Sequence, residues 1–222
     1  AGLVGLTAWL VGRTLTPSTS SGQRPSPSSI GRGERIEKAA IAYFTAIGFA
    51  YLLVEIALIQ RFQLYLAQPA YAVAGVLFAL LISSGIGSLN AQRIPLPLSL
   101  FLVFLWIGTS TYWLRAIFET TLALPLSARL GLMALVTFPF GFGMGMAFPE
   151  GLRFWLAGQG QRRWLPLIWS LNGAASVIAS VGAMLLALNV GFSGVLQSGA
   201  FFYGIAWLMV WVKGCRLGFL RR

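Results

Sequence analysis

Apolar residues in this chain do not alternate with polar ones at strand spacing, nor do they form the narrow stripe of a surface helix. They come in blocks. Six blocks, near 39–59, 70–89, 97–116, 130–149, 166–188 and 193–212, each reach the roughly 20 residues a helix needs to cross the hydrocarbon core of a bilayer. Short polar segments separate them. The pattern predicts an all-α polytopic transmembrane bundle of six spanning helices, occupying residues 37–222. Upstream, residues 14–36 read as a flexible Ser/Pro/Gly-rich linker. Residues 1–13 read as a partial or interfacial apolar segment, too short to span and lacking the basic flank of a secretory signal. No fixed-period repeat is visible.

Composition sharpens this picture by what it lacks. The chain is 57% hydrophobic and 9% charged, against about 25% charged in soluble domains. It contains no His, no Asp and a single cysteine, Cys215. Ser-His-Asp and Cys-His catalysis, His-ligated haem or zinc, and Asp-held magnesium all lack their residues. No catalytic residue, cofactor or metal is expected, and the chain does not read as an enzyme. One cysteine permits no intrachain disulfide.

The net charge of +11 has a topological reading. With the linker in the cytoplasm, Arg24, Arg32, Arg35, Lys38, Arg93, Arg153, Arg162, Arg163, Lys213, Arg216, Arg221 and Arg222 collect on the inner side. Arg61, Arg115 and Arg129 collect on the outer side. This asymmetry follows the positive-inside rule and puts both termini in the cytoplasm, with the inner face against anionic lipid headgroups. A bacterial cytoplasmic membrane is the expected location. No basic, aromatic-interleaved stripe lies on a polar domain, so nucleic acid is not an expected partner.

Lipid removes the hydrophobic drive between helices, so small residues that allow close approach carry the packing signal. Gly75, Ala79, Ser83 and Gly87 recur every four residues in the second block. Gly173, Ser176, Ser180, Ala183 and Ala187 offer a seam in the fifth, and Gly141 and Gly145 have GxxxG spacing in the fourth. Pro139 and the glycines after it predict a kink or irregularity there. The run Gly141–Gly145 lacks the preceding strand and later acid of a dinucleotide loop, so it reads as packing.

The most informative polar residue is Glu55, inside the first block and about 6 Å from its outer end at 1.5 Å per residue. An acid there is a proton or cation site, a polar latch for a ligand, or a structural lock paired with an arginine. Arg61 is about 240° around the same helix, so the expected partner is an arginine from another helix. Asn172 is expected to hydrogen-bond between helices. Gln60, Arg61, Gln63 and Gln68 read as a polar outer loop ended by Pro69. Glu150 and Arg153, three residues apart, read as a cap or, with Arg162 and Arg163, as a cytoplasmic docking site.

Several stretches taken together carry a family likeness. They are Gly48-Phe49 through Glu55-Ile56-Ala57-Leu58-Ile59-Gln60-Arg61-Phe62, Pro69-Ala70-Tyr71-Ala72 and Ser84-Gly85-Ile86-Gly87-Ser88. Phe140 to Pro149 and Trp169 to Val177 complete the set. In this order they resemble the membrane region of large bacterial proteins described as spermidine-synthase-like or SAM-dependent-methyltransferase-like, over about residues 40–210. The resemblance implies a membrane region fused to a soluble aminopropyltransferase-like domain. The Asp residues and strand-loop of that domain are missing here, so no transferase role is carried onto any residue.

Three functions are expected from these features. The first is a non-catalytic membrane domain that anchors or docks a soluble domain or another membrane complex. The second is a transporter-like half for a small cation or polyamine, with Glu55 and Asn172 facing a cavity. The third is an accessory subunit of a respiratory or photosynthetic complex.

Overall fold

The computed structural model describes residues 27–156 and 164–216, with side chains over 38–156 and 164–215. The linker's first part, the apolar segment before it, Arg162 and Arg163 lie outside the described residues. The chain divides into two compact units, Ala1–Glu34 and Arg35–Arg222. In the first, the described backbone is helical from Pro27, where the sequence reads as linker. The second holds every membrane-length stretch and the bundle they build.

Every described element of length is helical: α1 (Pro27–Leu66), α2 (Pro69–Asn90), α3 (Leu96–Thr121), α4 (Leu126–Trp155) and α5 (Leu165–Arg216). All five carry a stretch long and apolar enough to cross a membrane; in α1 that stretch is Lys38–Leu66. Proline marks the helix starts, at Pro69 in α2 and just before the first residues of α3 and α4. There a missing N–H costs nothing, because the first-turn donors have no intrahelical acceptor.

Two differences from the sequence pattern stand out. The expected outer loop over Gln60–Gln68 is mostly helix: α1 continues to Leu66, and only Ala67 and Gln68 connect it to α2. Ala67 takes φ 53° and donates its N–H to the Gln63 carbonyl at 3.0 Å, closing the helix with a left-handed cap. Glu55 therefore lies eleven residues from the helix end, about 17 Å rather than 6 Å.

The fifth and sixth blocks lie on one 52-residue element, interrupted at Gly191 with φ 69° and ψ 173°. An unbroken helix of that length would run about 78 Å, far more than a bilayer core of about 30 Å. Contacts with α1 show what the interruption does. Along the arm 165–190, Asn172 meets Phe44 and Ser176 meets Gly48, so this arm runs parallel to α1. Along the arm 192–216, Ser193 meets Arg61, Gly199 faces Val54, and Phe202 stacks on Phe49, so this arm runs antiparallel. The chain reverses direction at Gly191. α4, by contrast, stays helical through Pro139 and Pro149.

α1 is the central helix. Its buried residues include Tyr43, Phe44, Ala46, Leu53, Ala57, Leu58 and Leu66, which cover well over half of the helix circumference rather than one narrow stripe. The α2–α4 interface is built on absent side chains. A Cβ at Gly87 would meet the Phe142 carbonyl, one at Gly141 the Ser83 hydroxyl, and one at Gly145 the backbone of Ser84. Gly75 lies under Met133 in the same seam. Trp106, which the sequence leaves near mid-membrane, packs 5.0 Å from Trp113 and 6.2 Å from Phe140, centroid to centroid.

Candidate functional site: a polar cavity inside the bundle

A cavity of about 540 Å³ lies between α1, α2, α4 and the arm 165–190, with Tyr203 reaching it from the last arm. That size is in the range of small-molecule sites. Its walls include Ile47, Leu52, Leu81, Met144 and Phe148, as expected in a membrane bundle. Its polar lining is not expected from packing alone: Tyr51, Ser84, Ser88, Asn172, Ser176 and Tyr203 all face it.

The elements place these groups by simple registers. Asn172 and Ser176, one turn apart, match Phe44 and Gly48, one turn apart on α1. Asn172 Nδ2 donates to the Phe44 carbonyl at 2.8 Å, and Ser176 Oγ reaches the Gly48 carbonyl at 3.2 Å and the Asn172 carbonyl at 3.0 Å. The amide of Asn172 is thus committed to holding its arm on α1, as the sequence suggests. Tyr51 on α1 and Ser84 on α2 both line the cavity, where Ser84 Oγ donates to the Leu81 carbonyl of its own helix at 3.2 Å, and Tyr203 lines it from the last arm. Pro149, also in the wall, has no N–H to give the Gly145 carbonyl four residues earlier. An acceptor is thereby released beside the cavity.

Glu55 is not among the residues that line the cavity, but it stands one helical turn beyond two that do, Tyr51 and Leu52. Gly48, Tyr51 and Leu52 line the cavity, and Glu55 follows them at the three- and four-residue spacing that defines one helix face. Helical side chains lean toward the helix N-terminus, which tilts the Glu55 carboxyl toward Tyr51, with which it interacts electrostatically. The arginine partner expected for Glu55 is absent among the described residues. Arg61 donates to Ser193 Oγ at 2.5 Å, Arg115 pairs with Glu119 at 2.8 Å, and Arg129 donates to the Tyr65 carbonyl at 2.8 Å. Each outer arginine is engaged elsewhere, and Glu55 is left half-buried without a counter-ion.

The other candidate residues are distributed around this core. Gln60 is half-buried on α1, outside the cavity lining. Glu150 and Arg153 pair with each other at 3.0 Å near the end of α4. Ala79, Ser83 and Gly87 lie on the α2–α4 side, while Ser180 bonds its own helix at Val177. Gly173 is off the seam: it is exposed, and a Cβ there would meet nothing within 4 Å. The buried face of that arm is instead Ile168, Ala175, Ala179 and Ala183. Counting small residues misassigned it because smallness alone does not say which residues lie on the facing stripe.

Sequence reasoning missed Tyr51, Tyr203, Ser84 and Ser88 as members of one site. Tyr51 had a usable signal, since it stands four residues before an intramembrane acid. Tyr203 had none, because only the chain reversal at Gly191 brings it beside α1. Compared with known proteins, the chain matches no family model, no curated protein and no solved structure.

Proposed function

We propose that this chain is a six-crossing integral membrane domain of a bacterial cytoplasmic membrane, with both termini cytoplasmic, whose intrabundle cavity binds an organic cation for transport. The observation that carries the reading is an acid that no described residue neutralises, placed one helical turn beyond Tyr51 in a cavity that several hydroxyl and amide groups line. Ionisable groups inside a membrane are costly, and they mark ligand or ion pathways when no structural partner accounts for them. The opposite lie of the two α5 arms on α1 supports six crossings. An amine ligand also accords with the resemblance to membrane regions of spermidine-synthase-like proteins.

The docking reading gains less. Glu150 and Arg153 satisfy each other, which leaves neither free for a partner surface.

The test is a panel of primary amines, from water-soluble diamines to alkylamines, titrated against the full chain in neutral-lipid nanodiscs by isothermal calorimetry. Saturable binding of at least one amine, weakened at least tenfold by Glu55→Gln, supports the reading. No binding by any amine overturns it, as does binding that Glu55→Gln leaves unchanged.

A further inference from the structure

We propose that the ligand enters this cavity sideways from the lipid, between α2 and the arm 165–190, and is an amphiphile with a protonated amine head and an apolar tail. The inference rests on the cation-binding reading above and adds a route and the second half of the ligand.

The rim of the cavity carries the argument. Its α2 side consists of Leu81, Gly85 and Ser88, all exposed on the bundle surface, Leu81 by 68%. On the arm 165–190 the lining residues Asn172 and Ser176 are half-buried, and Val177 beside them, outside the lining, is exposed by 67%. In a membrane these surfaces meet acyl chains. The floor, in contrast, is closed by Ile47 and Tyr203, both buried. Tyr203 is buried and Tyr51, Asn172 and Ser176 are half-buried, whereas Leu81, Gly85 and Ser88 are exposed, so most of the polar groups lie behind the rim, which seats a polar head and leaves a tail in lipid.

Gly85 is the distinguishing residue. The glycines at 87, 141 and 145 are needed because a neighbouring helix occupies the space of their side chains. Gly85 lines the cavity, yet a Cβ there would meet nothing within 4 Å. No helix contact requires its small size. What the missing side chain provides is a low sill at the mouth.

The route from the end of the bundle that holds Lys38 and Trp155 is obstructed. Phe148 packs edge-on against Phe44 at 5.2 Å and Trp169 at 5.4 Å, and Tyr43, next to Phe44, packs at 6.1 Å against Trp155, two turns further along α4. These rings form a layer between the cavity and that end. The lining also selects the head group. No Lys or Arg is among the residues that line the cavity, which leaves a phosphate head without a cation to bind it. An ammonium is a donor of three hydrogen bonds and accepts none. Hydroxyl oxygens and the Gly145 carbonyl are acceptors for it in the lining, and the Glu55 carboxyl lies one turn beyond Tyr51.

The experiment uses the full chain in phosphatidylcholine nanodiscs and a hexadecylamine carrying a diazirine in its tail. Photolabelling is mapped by mass spectrometry, with hexadecylamine, hexadecanol or spermidine as competitors. Gly85→Phe fills the mouth at a position where the structure has open space, so its folding is checked by an unchanged Tm. The expected result is labelling of residues 81–88 and 172–177, protected tenfold or more by hexadecylamine but by neither hexadecanol nor spermidine. Labelling falls at least tenfold in Gly85→Phe. Protection by spermidine with Gly85→Phe unaffected overturns lateral entry and leaves the cation site standing. Equal protection by hexadecanol identifies an ordinary lipid groove and overturns the amine head. Failure of both amines to protect overturns the cation site itself.

Discussion

Gly48 and Asn172 meet backbone to backbone: a Cβ on Gly48 would lie 2.6 Å from the Asn172 carbonyl oxygen and 2.8 Å from its Nδ2. The glycine lets the arm 165–190 approach closely enough for Asn172 and Ser176 to reach α1 carbonyls. Two substitutions separate approach from bonding. Asn172→Ala removes one interhelical hydrogen bond, about 0.6 kcal/mol in a membrane. Gly48→Val forces backbone apart and loses the bonds as well, so it costs more, about 1–3 kcal/mol from overpacking alone. Unfolding in mixed micelles, followed by far-UV circular dichroism, orders the two. Equal losses would mean that the contact is not what the glycine is for.

Ala67 ends α1 at φ 53°, a conformation that costs an L-residue with a Cβ about 1–2 kcal/mol and glycine almost nothing. Ala67→Gly is therefore expected to stabilise the protein by up to about 1 kcal/mol, after the greater flexibility of glycine in the unfolded chain is subtracted. The measurable outcome is a higher midpoint of unfolding with the cavity's amine affinity unchanged.

Gly191 is held by its backbone and not by crowding, since a Cβ there would meet nothing within 4 Å. Its φ of 69° with ψ of 173° belongs to a region essentially restricted to glycine. Gly191→Ala should cost about 1–3 kcal/mol. On the proposed six crossings, the same residue separates the fifth from the sixth. A cysteine placed at Asn189 and the native Cys215 should react with a membrane-impermeant maleimide from opposite sides of a sealed vesicle. Labelling from one side would remove the sixth crossing.

What was legible in the sequence depended on what lipid makes local. Each spanning block is a predominantly apolar run, because a helix in hydrocarbon must present mostly apolar side chains, so the helices were readable one by one. The α2 positions Gly75, Ser83 and Gly87 were readable because a four-residue repeat stays on one face. The site was not readable in the same way. Tyr203 reaches Tyr51 only through a reversal that one glycine makes, and the arginines that could have neutralised Glu55 are taken up by Ser193, Glu119 and the Tyr65 carbonyl. Those pairings are decided by helix rotation, which block hydropathy does not encode.

Two glycines that look alike in sequence are expected to respond in opposite ways. Gly145→Val places methyl groups into the backbone of Ser84, and an interface that cannot yield loses about 1–3 kcal/mol or more. Gly173→Ala meets open space and gains helix propensity, worth at most about 1 kcal/mol. Paired unfolding curves test the contrast. A neutral Gly145→Val would show that α2 and α4 are free to slide apart.

Glu55→Gln distinguishes a lock from a binding group by the sign of its effect on stability. If the carboxyl held helices together through an ion pair, removing its charge would leave the partner uncompensated and destabilise the fold. No such partner exists among the described residues. Placing a charge at the bilayer centre costs roughly 2.5–3.5 kcal/mol on insertion scales, and a half-buried acid bears part of that. The amide keeps the shape and removes the charge, so the substituted protein should unfold at higher denaturant while amine binding weakens at least tenfold. Gains in stability coupled to loss of binding are characteristic of residues retained for function. A destabilised Glu55→Gln with unchanged amine affinity would return Glu55 to a structural role.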